Sequence, residues 1–192
     1  MDGYETKTAS QALERLRAGN LQYQKGLHTI GDTSPEIRRH TARRGQKPYA
    51  VVIACSDSRV IPEAIFDAGV GELFVIRVAG NVIDHHQLGS IEYAASHLGA
   101  KLIVVLGHTL CGAVDAAMNH DPSGYIRFIT DEIKKAIGEE RDEVRACCLN
   151  VAHSVEMIES SLEIQSLERE GMQVVGMLYH LEDGGVELLP QR

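Results

Sequence analysis

Three apolar runs rich in Val and Ile dominate the first part of the chain: YAVVIAC at 49–55, ELFVIRVAG at 72–80 and KLIVVLGH at 101–108. They lack the polar alternation of a half-exposed strand, so they predict strands buried on both faces, as in a parallel sheet. The segment between the second and third runs, 84–100, has helical periodicity and ends near Gly99. It predicts a crossover helix, and therefore a βαβ unit.

The rest of the chain is mostly helical by the same criterion. Residues 10–27 have apolar positions at helical spacing behind Ser10, and 33–44 place Pro35 just inside a second helix. Further helices are predicted over 112–120 and most of 129–165, and residues 172–189 form a strand, a Gly-Gly turn and a strand. The expected fold is a single α/β domain over 1–192: a helical arm over 1–45, and a core over 46–192 whose mostly parallel sheet is flanked by helices.

Composition limits the partners. With 192 residues and a formal charge of −8, the chain is long enough for one substantial core, and its basic residues are scattered. This argues against nucleic acid or an anionic membrane as the main partner. No signal pattern and no apolar run of about 20 residues is visible. We therefore expect a cytoplasmic protein, whose four cysteines are thiols or metal ligands rather than a disulfide framework.

Soft metal ligands follow two of the predicted strands. Cys55 ends the first run, His108 ends the third, and Cys111 begins the next helix. In open α/β sheets, sites are built in the crevice beyond the carboxyl ends of the strands. Taken singly, a thiol or a histidine is more often structural than a ligand. Together, Cys55, His108 and Cys111 form a Cys2His set, which suits Zn²⁺ and leaves a fourth position for water.

Asp57 and Arg59 follow Cys55 at alternate positions in the stretch ACSDSR. If the extended conformation continues, Asp57 and Cys55 project to one face of the strand, with Arg59 behind them. Two roles are then open to Asp57. It is either a fourth ligand that closes the site, or a carboxylate that pairs with Arg59 and accepts a hydrogen bond from zinc-bound water.

These residues carry a resemblance to a known family. CSDSR followed by HTLC resembles the β-class carbonic anhydrases, and so do the blocks GELFVIRVAGN and GSIEYAASHLGAKLIVVLGHTLCGAV, over most of the chain from Gln46 onward. The resemblance implies a zinc enzyme that hydrates CO₂ to bicarbonate and a proton through a zinc-bound hydroxide. Cys55, His108 and Cys111 match the ligands of that family, and Asp57 and Arg59 match its catalytic dyad.

The resemblance also implies a substrate pocket shared between subunits. Gln46 matches a glutamine that hydrogen-bonds the substrate, and Phe74 and Tyr93 match aromatics that line the pocket. In the family these three often come from a neighbouring subunit of a dimer or a dimer of dimers. His97, four residues after Tyr93, matches a position proposed as a proton shuttle, and a structural histidine is the equal alternative.

The chain departs from the common family pattern at Val78, where asparagine is frequent, and at Ala113, where a second glycine is usual. It has no tryptophan, which argues against the bicarbonate regulatory site of some bacterial members. Two other functions remain open: hydrolysis of carbonyl sulfide or carbon disulfide on the same scaffold, and a zinc-containing bicarbonate sensor without catalysis.

Overall fold

The computed structural model describes residues 8–27 and 30–190 of the chain. Its strands are β1 (Ala50–Ala54), β2 (Leu73–Arg77), β3 (Leu102–His108), β4 (Gln173–Tyr179) and β5 (Val186–Leu188). Its α-helices are α1 (Ala9–Gln24), α2 (Pro35–Arg44), α3 (Pro62–Ile65), α4 (His85–Ser96), α5 (Gly112–Asn119), α6 (Ile126–Ile137), α7 (Glu143–Glu159) and α8 (Leu162–Arg169). A short 3-10 turn, Ala79–Asn81, follows β2.

The strands form one five-stranded sheet in the order β2-β1-β3-β4-β5. The pairs β1–β2, β1–β3 and β3–β4 are parallel, and only β5 runs antiparallel to its neighbour. β1 and β3 are buried along their whole length, as expected for central strands covered on both faces. The predicted α/β class and mostly parallel sheet are confirmed.

Alternating side chains of the sheet pack against two helical layers. Val52 and Ala54 face a core that includes residues of α1 and α3, whereas Val51 and Ile53 face one that includes residues of α4, α7 and α8. A third apolar cluster joins α5, α6 and α7 around Cys55 and Cys111 at the carboxyl ends of β1 and β3. The carboxyl edge of the sheet is therefore enclosed by helices.

The two helices at the start of the chain differ in their packing. α1 is capped by Thr8, two residues before the predicted Ser10, and it buries Ala12 and Leu16 against the sheet. α2 begins at Pro35 as predicted, with Ser34 as its N-cap, and none of its residues is buried. Of the two helices expected as an arm, α1 therefore lies on the core of its own chain and α2 stands on the surface.

Two local features were not predicted from the sequence. The extended conformation ends at Ala54, and a turn closed by the Val60 amide and the Asp57 carbonyl (3.0 Å) replaces a strand running on to Arg59. α3 was not predicted because four residues are too few to show helical periodicity. Within residues 8–27 and 30–190, no helix has the length and apolar character needed to cross a bilayer.

Candidate metal centre

Two adjacent strands bring the three predicted ligands together. Cys55 directly follows β1, His108 is the last residue of β3, and Cys111 is the N-cap of α5. Since β1 and β3 are hydrogen-bonded in parallel register, Ala54 against Leu106, their carboxyl ends meet at one edge of the sheet. The ligand atoms of the three side chains lie within 4.8 Å of one another, and all three residues are buried.

The hydrogen bonding of His108 fits a metal ligand. Its Nδ1 lies 2.9 Å from the Thr109 carbonyl oxygen, and because that oxygen can only accept, Nδ1 carries the proton. Nε2 is then left with a lone pair, and this buried atom has no hydrogen-bond partner within residues 8–27 and 30–190. A buried imidazole nitrogen beside two thiols is unfavourable without a metal and suits tetrahedral zinc with it. The residues present therefore fit a zinc ion.

The Cys55 and Cys111 thiols lie side by side, and their pKa values shift in opposite directions. A hydrogen bond from the Cys111 thiol lowers the pKa of Cys55 to about 4, and the His108 side chain and the backbone amides of Gly80 and Asp57 assist. The same hydrogen bond, followed by burial, raises the pKa of Cys111. The Gly80 amide nitrogen lies 3.2 Å from the Cys55 sulfur. A divalent cation held by Cys55 and Cys111 would displace the thiol proton that remains, and both sulfurs would then ligate as thiolates.

Arg59 holds the Asp57 carboxylate in a fork. The Arg59 Nε is 2.9 Å from Asp57 Oδ1 and Nη2 is 2.7 Å from Oδ2, while the Arg59 amide also donates to Oδ1 at 2.9 Å. Arg59 Nη2 further donates to the Leu110 carbonyl, between the two ligands His108 and Cys111 (3.1 Å). The Arg59 side chain holds the pKa of Asp57 well below its usual range. The sequence left open whether Asp57 is a fourth ligand or pairs with Arg59, and in this structure it pairs with Arg59.

The remaining predicted site residues lie toward the other end of the sheet. Phe74 pairs with Val51, four residues before Cys55, which corresponds to about 13 Å along the strand. Gln46 is exposed, precedes β1 and lies beside Gly71, ahead of β2. Tyr93 and His97 lie at the end of α4, with the Tyr93 ring centroid 6.2 Å from Phe74 and 5.4 Å from His97. These four residues do not join the metal ligands within one chain.

Sequence reasoning missed the residues that hold the ligand loops. Arg77, the last residue of β2, donates to the carbonyls of Cys55 (3.0 Å) and Asp57 (2.6 Å). Asn150 of α7 donates to the Gly80 carbonyl at 2.7 Å. These contacts join residues 20 to 70 positions apart, so no local sequence pattern could have predicted them. Cys147 lies outside the group of Cys55, His108 and Cys111, and burial raises the pKa of its thiol to about 12.

Comparison with known proteins identifies relatives of this chain. A family model described as "Carbonic anhydrase" matches residues 50–186. A carbonic anhydrase of Mycolicibacterium smegmatis is 40% identical over 189 residues, covering 92% of this chain and 91% of the relative. A β-carbonic anhydrase of Aspergillus fumigatus superposes with a TM-score of 0.75 at 27% identity, covering 94% and 89% of the two chains. One of two tetrameric β-carbonic anhydrases of Sordaria macrospora does so at 0.75 and 25% identity, covering 95% of each chain.

Proposed function

Since this chain belongs to the carbonic anhydrase family, and to its β class by fold, we propose that Cys55, His108 and Cys111 hold its catalytic zinc. The enzyme is a carbonate dehydratase, which interconverts CO₂ with bicarbonate and a proton. The observation that carries the assignment is the buried, partnerless Nε2 of His108 next to two thiols. A bound zinc ion supplies Lewis acidity, which lowers the pKa of a water molecule and makes it a nucleophile near neutral pH.

We assign Asp57 the orientation of the attacking water. Its Oδ1 accepts two hydrogen bonds from Arg59, whereas Oδ2 accepts one and keeps a second lone pair. An ionised carboxylate only accepts hydrogen bonds, so this lone pair can accept a hydrogen bond from the water and leave the lone pairs of the water oxygen directed at CO₂. Arg59 keeps the carboxylate ionised and fixed in direction.

The substrate-binding residues come, in this proposal, from a neighbouring copy of the chain. Three of the predicted residues, Gln46, Phe74 and Tyr93, lie too far along the sheet to reach the metal centre of their own chain. Gln46 and Tyr93 are exposed and are therefore accessible to a second molecule. α2, with no buried residue, leads directly to Gln46 and is a suitable arm for such an exchange. We therefore propose a homo-oligomer, a dimer or a dimer of dimers; the Sordaria macrospora relatives are described as tetrameric.

His97 is proposed to carry the product proton to buffer from the same shared pocket. It is exposed at the C-terminus of α4, and its ring centroid lies 5.4 Å from that of Tyr93, so it is next to the proposed pocket lining and accessible to buffer. Histidine is the side chain whose ordinary pKa suits this transfer. A cytoplasmic location and a single domain divided at 45/46 also stay predictions.

The decisive experiment is stopped-flow CO₂ hydration with a pH indicator on protein of measured zinc content. We expect turnover in the wild type, and loss of both zinc and turnover in Cys55→Ser. Cys148→Ser is the matched control, because that thiol is partly buried in α7 and lies outside the ligand group. A fully active Cys55→Ser protein would refute the metal assignment. Faster turnover of carbonyl sulfide than of CO₂ would instead favour the sulfur-substrate hydrolase.

A further inference from the structure

The 3-10 turn after β2 carries an unusual backbone. Gly80 has φ 69° and ψ 14°, and Asn81 follows with φ 46°, so two consecutive residues are left-handed. Asparagine tolerates this region less well than glycine does. This backbone conformation directs the Gly80 N–H at the Cys55 sulfur, which lies 3.2 Å from the amide nitrogen. The turn therefore sets a hydrogen bond to a metal ligand.

α7 holds this turn from the other side. Asn150 Nδ2 donates to the Gly80 carbonyl at 2.7 Å, and Ser154 Oγ donates to the Asn81 carbonyl at 3.0 Å. The two side chains are four residues apart, so they share one face of α7. Each is only 2% exposed. Asn150 and Ser154 are thus buried polar side chains that both hydrogen-bond the backbone carbonyls of this turn.

Packing leaves the turn no room to find another position. A Cβ on Gly80 would lie 2.7 Å from the Ile133 side chain and 3.1 Å from the Ala113 Cβ. Ile133 belongs to α6 and Ala113 to α5, so helices close over the turn while Asn150 fixes its carbonyl. Asn150 holds the peptide that follows Gly80, and the close packing limits rotation at the Gly80 Cα, so the two together fix the direction of the Gly80 amide.

We propose that Asn150 is a positioning residue of the metal centre: it aims the Gly80 amide at Cys55 and so reduces the charge that this sulfur donates to the metal. The inference rests on the proposed zinc site and adds a control on its electronics. Hydrogen bonds to ligating sulfurs are an established way for proteins to tune a metal. Ser154 supports the same turn through Asn81.

The test uses cobalt as a spectroscopic substitute for zinc in Asn150→Leu, which keeps the side-chain size and removes the donor. The sulfur becomes easier to oxidise without its hydrogen bond, so the thiolate-to-cobalt charge-transfer band should move to longer wavelength. Zinc affinity, measured by chelator competition, should fall roughly 10- to 100-fold, because losing the fixed position of the ligand outweighs the stronger electron donation by the sulfur. Thr130→Val is the matched control, because this buried hydroxyl bonds only within its own helix and its loss should leave band and affinity unchanged.

The outcomes separate this inference from the function on which it rests. An Asn150→Leu protein that folds and shows the wild-type band and zinc affinity overturns the positioning role, while wild-type hydration activity stays intact. If Asn150→Leu does not fold, Asn150→Ser decides, because it keeps a polar group in the helix but is too short to hold the Gly80 carbonyl: a shifted band supports the proposal, and an unchanged band overturns it. Failure of the wild type itself to bind zinc or hydrate CO₂ would refute the proposed function instead.

Discussion

Replacing Arg59 by Ala tests whether the fork on Asp57 serves catalysis or stability. The wild-type carboxylate accepts three hydrogen bonds from Arg59, two from the guanidinium and one from the backbone amide. Arg59→Ala keeps only the amide contact, and it also removes the link to the Leu110 carbonyl. One contact fixes the position of Oδ1 but not the plane of the carboxylate, so Oδ2 becomes free to swing away.

The size of the effect follows from this geometry. A misplacement of about 1 Å in a positioning group costs on the order of 10²-fold in rate, so we expect kcat/KM for CO₂ hydration to fall by about that factor. Stability should change little, because the Arg59 side chain is 53% exposed and such pairs contribute little to folding. Arg59→Lys should be intermediate, since an ammonium cannot reproduce the two-point contact.

Stopped-flow hydration at equal zinc content measures the effect, with thermal unfolding as the stability readout. Arg141→Ala removes an exposed arginine that pairs with Glu139 at 3.2 Å, and it should leave both readouts unchanged. Arg59→Ala activity within about twofold of the wild type would refute the reasoning. A large loss of stability with unchanged rate per folded molecule would refute it equally.

Three further predictions follow from the same contacts. Zinc binding to the apoprotein near pH 7.5 should release close to one proton per metal, because the pKa of Cys55 is about 4 and that of Cys111 is raised. Zinc affinity should therefore fall as pH falls. Calorimetry in buffers of different ionisation enthalpy measures the number of protons released, and a value of zero or two would contradict the opposite shifts of the two thiols. Gln46→Ala should lower kcat/KM for CO₂ with zinc content unchanged, and loss of zinc in parallel would argue against a purely substrate-binding role. Gly107→Ala should destabilise the protein by about 1–3 kcal/mol, because the new methyl would overlap Val151. Adding Val151→Ala should recover part of that loss, and strictly additive urea-denaturation free energies would contradict the overlap.

The central strands and the cluster of Cys55, His108 and Cys111 could be predicted from the sequence for a physical reason. Strands buried on both faces must be continuously apolar, so β1 and β3 stand out, and parallel strands end at a common edge. The positions of Cys55 and His108 at the ends of these strands therefore predict, from the sequence alone, that the two residues share one site. The family resemblance and the βαβ pattern agree on this point.

What escaped prediction depends on contacts between distant residues or on tight turns. The sequence left open whether the strand continues past Cys55; it ends at Ala54, and Asp57 accepts a hydrogen bond from the amide of Arg59 in the turn that follows. The pairing of Asp57 with Arg59 was foreseen as one of two roles for Asp57. Asn150 gave no signal because it lies in an ordinary helical stretch, 70 residues from Gly80.

The separation of Gln46 from Cys55 along the sheet has a genetic consequence. If each pocket takes its metal from one chain and its glutamine from another, then Cys55→Ser and Gln46→Ala damage different halves of it. Each variant alone contains only damaged pockets. A mixed dimer places both lesions in one pocket and leaves the other intact, so two alleles that fail separately should complement each other when they are expressed together.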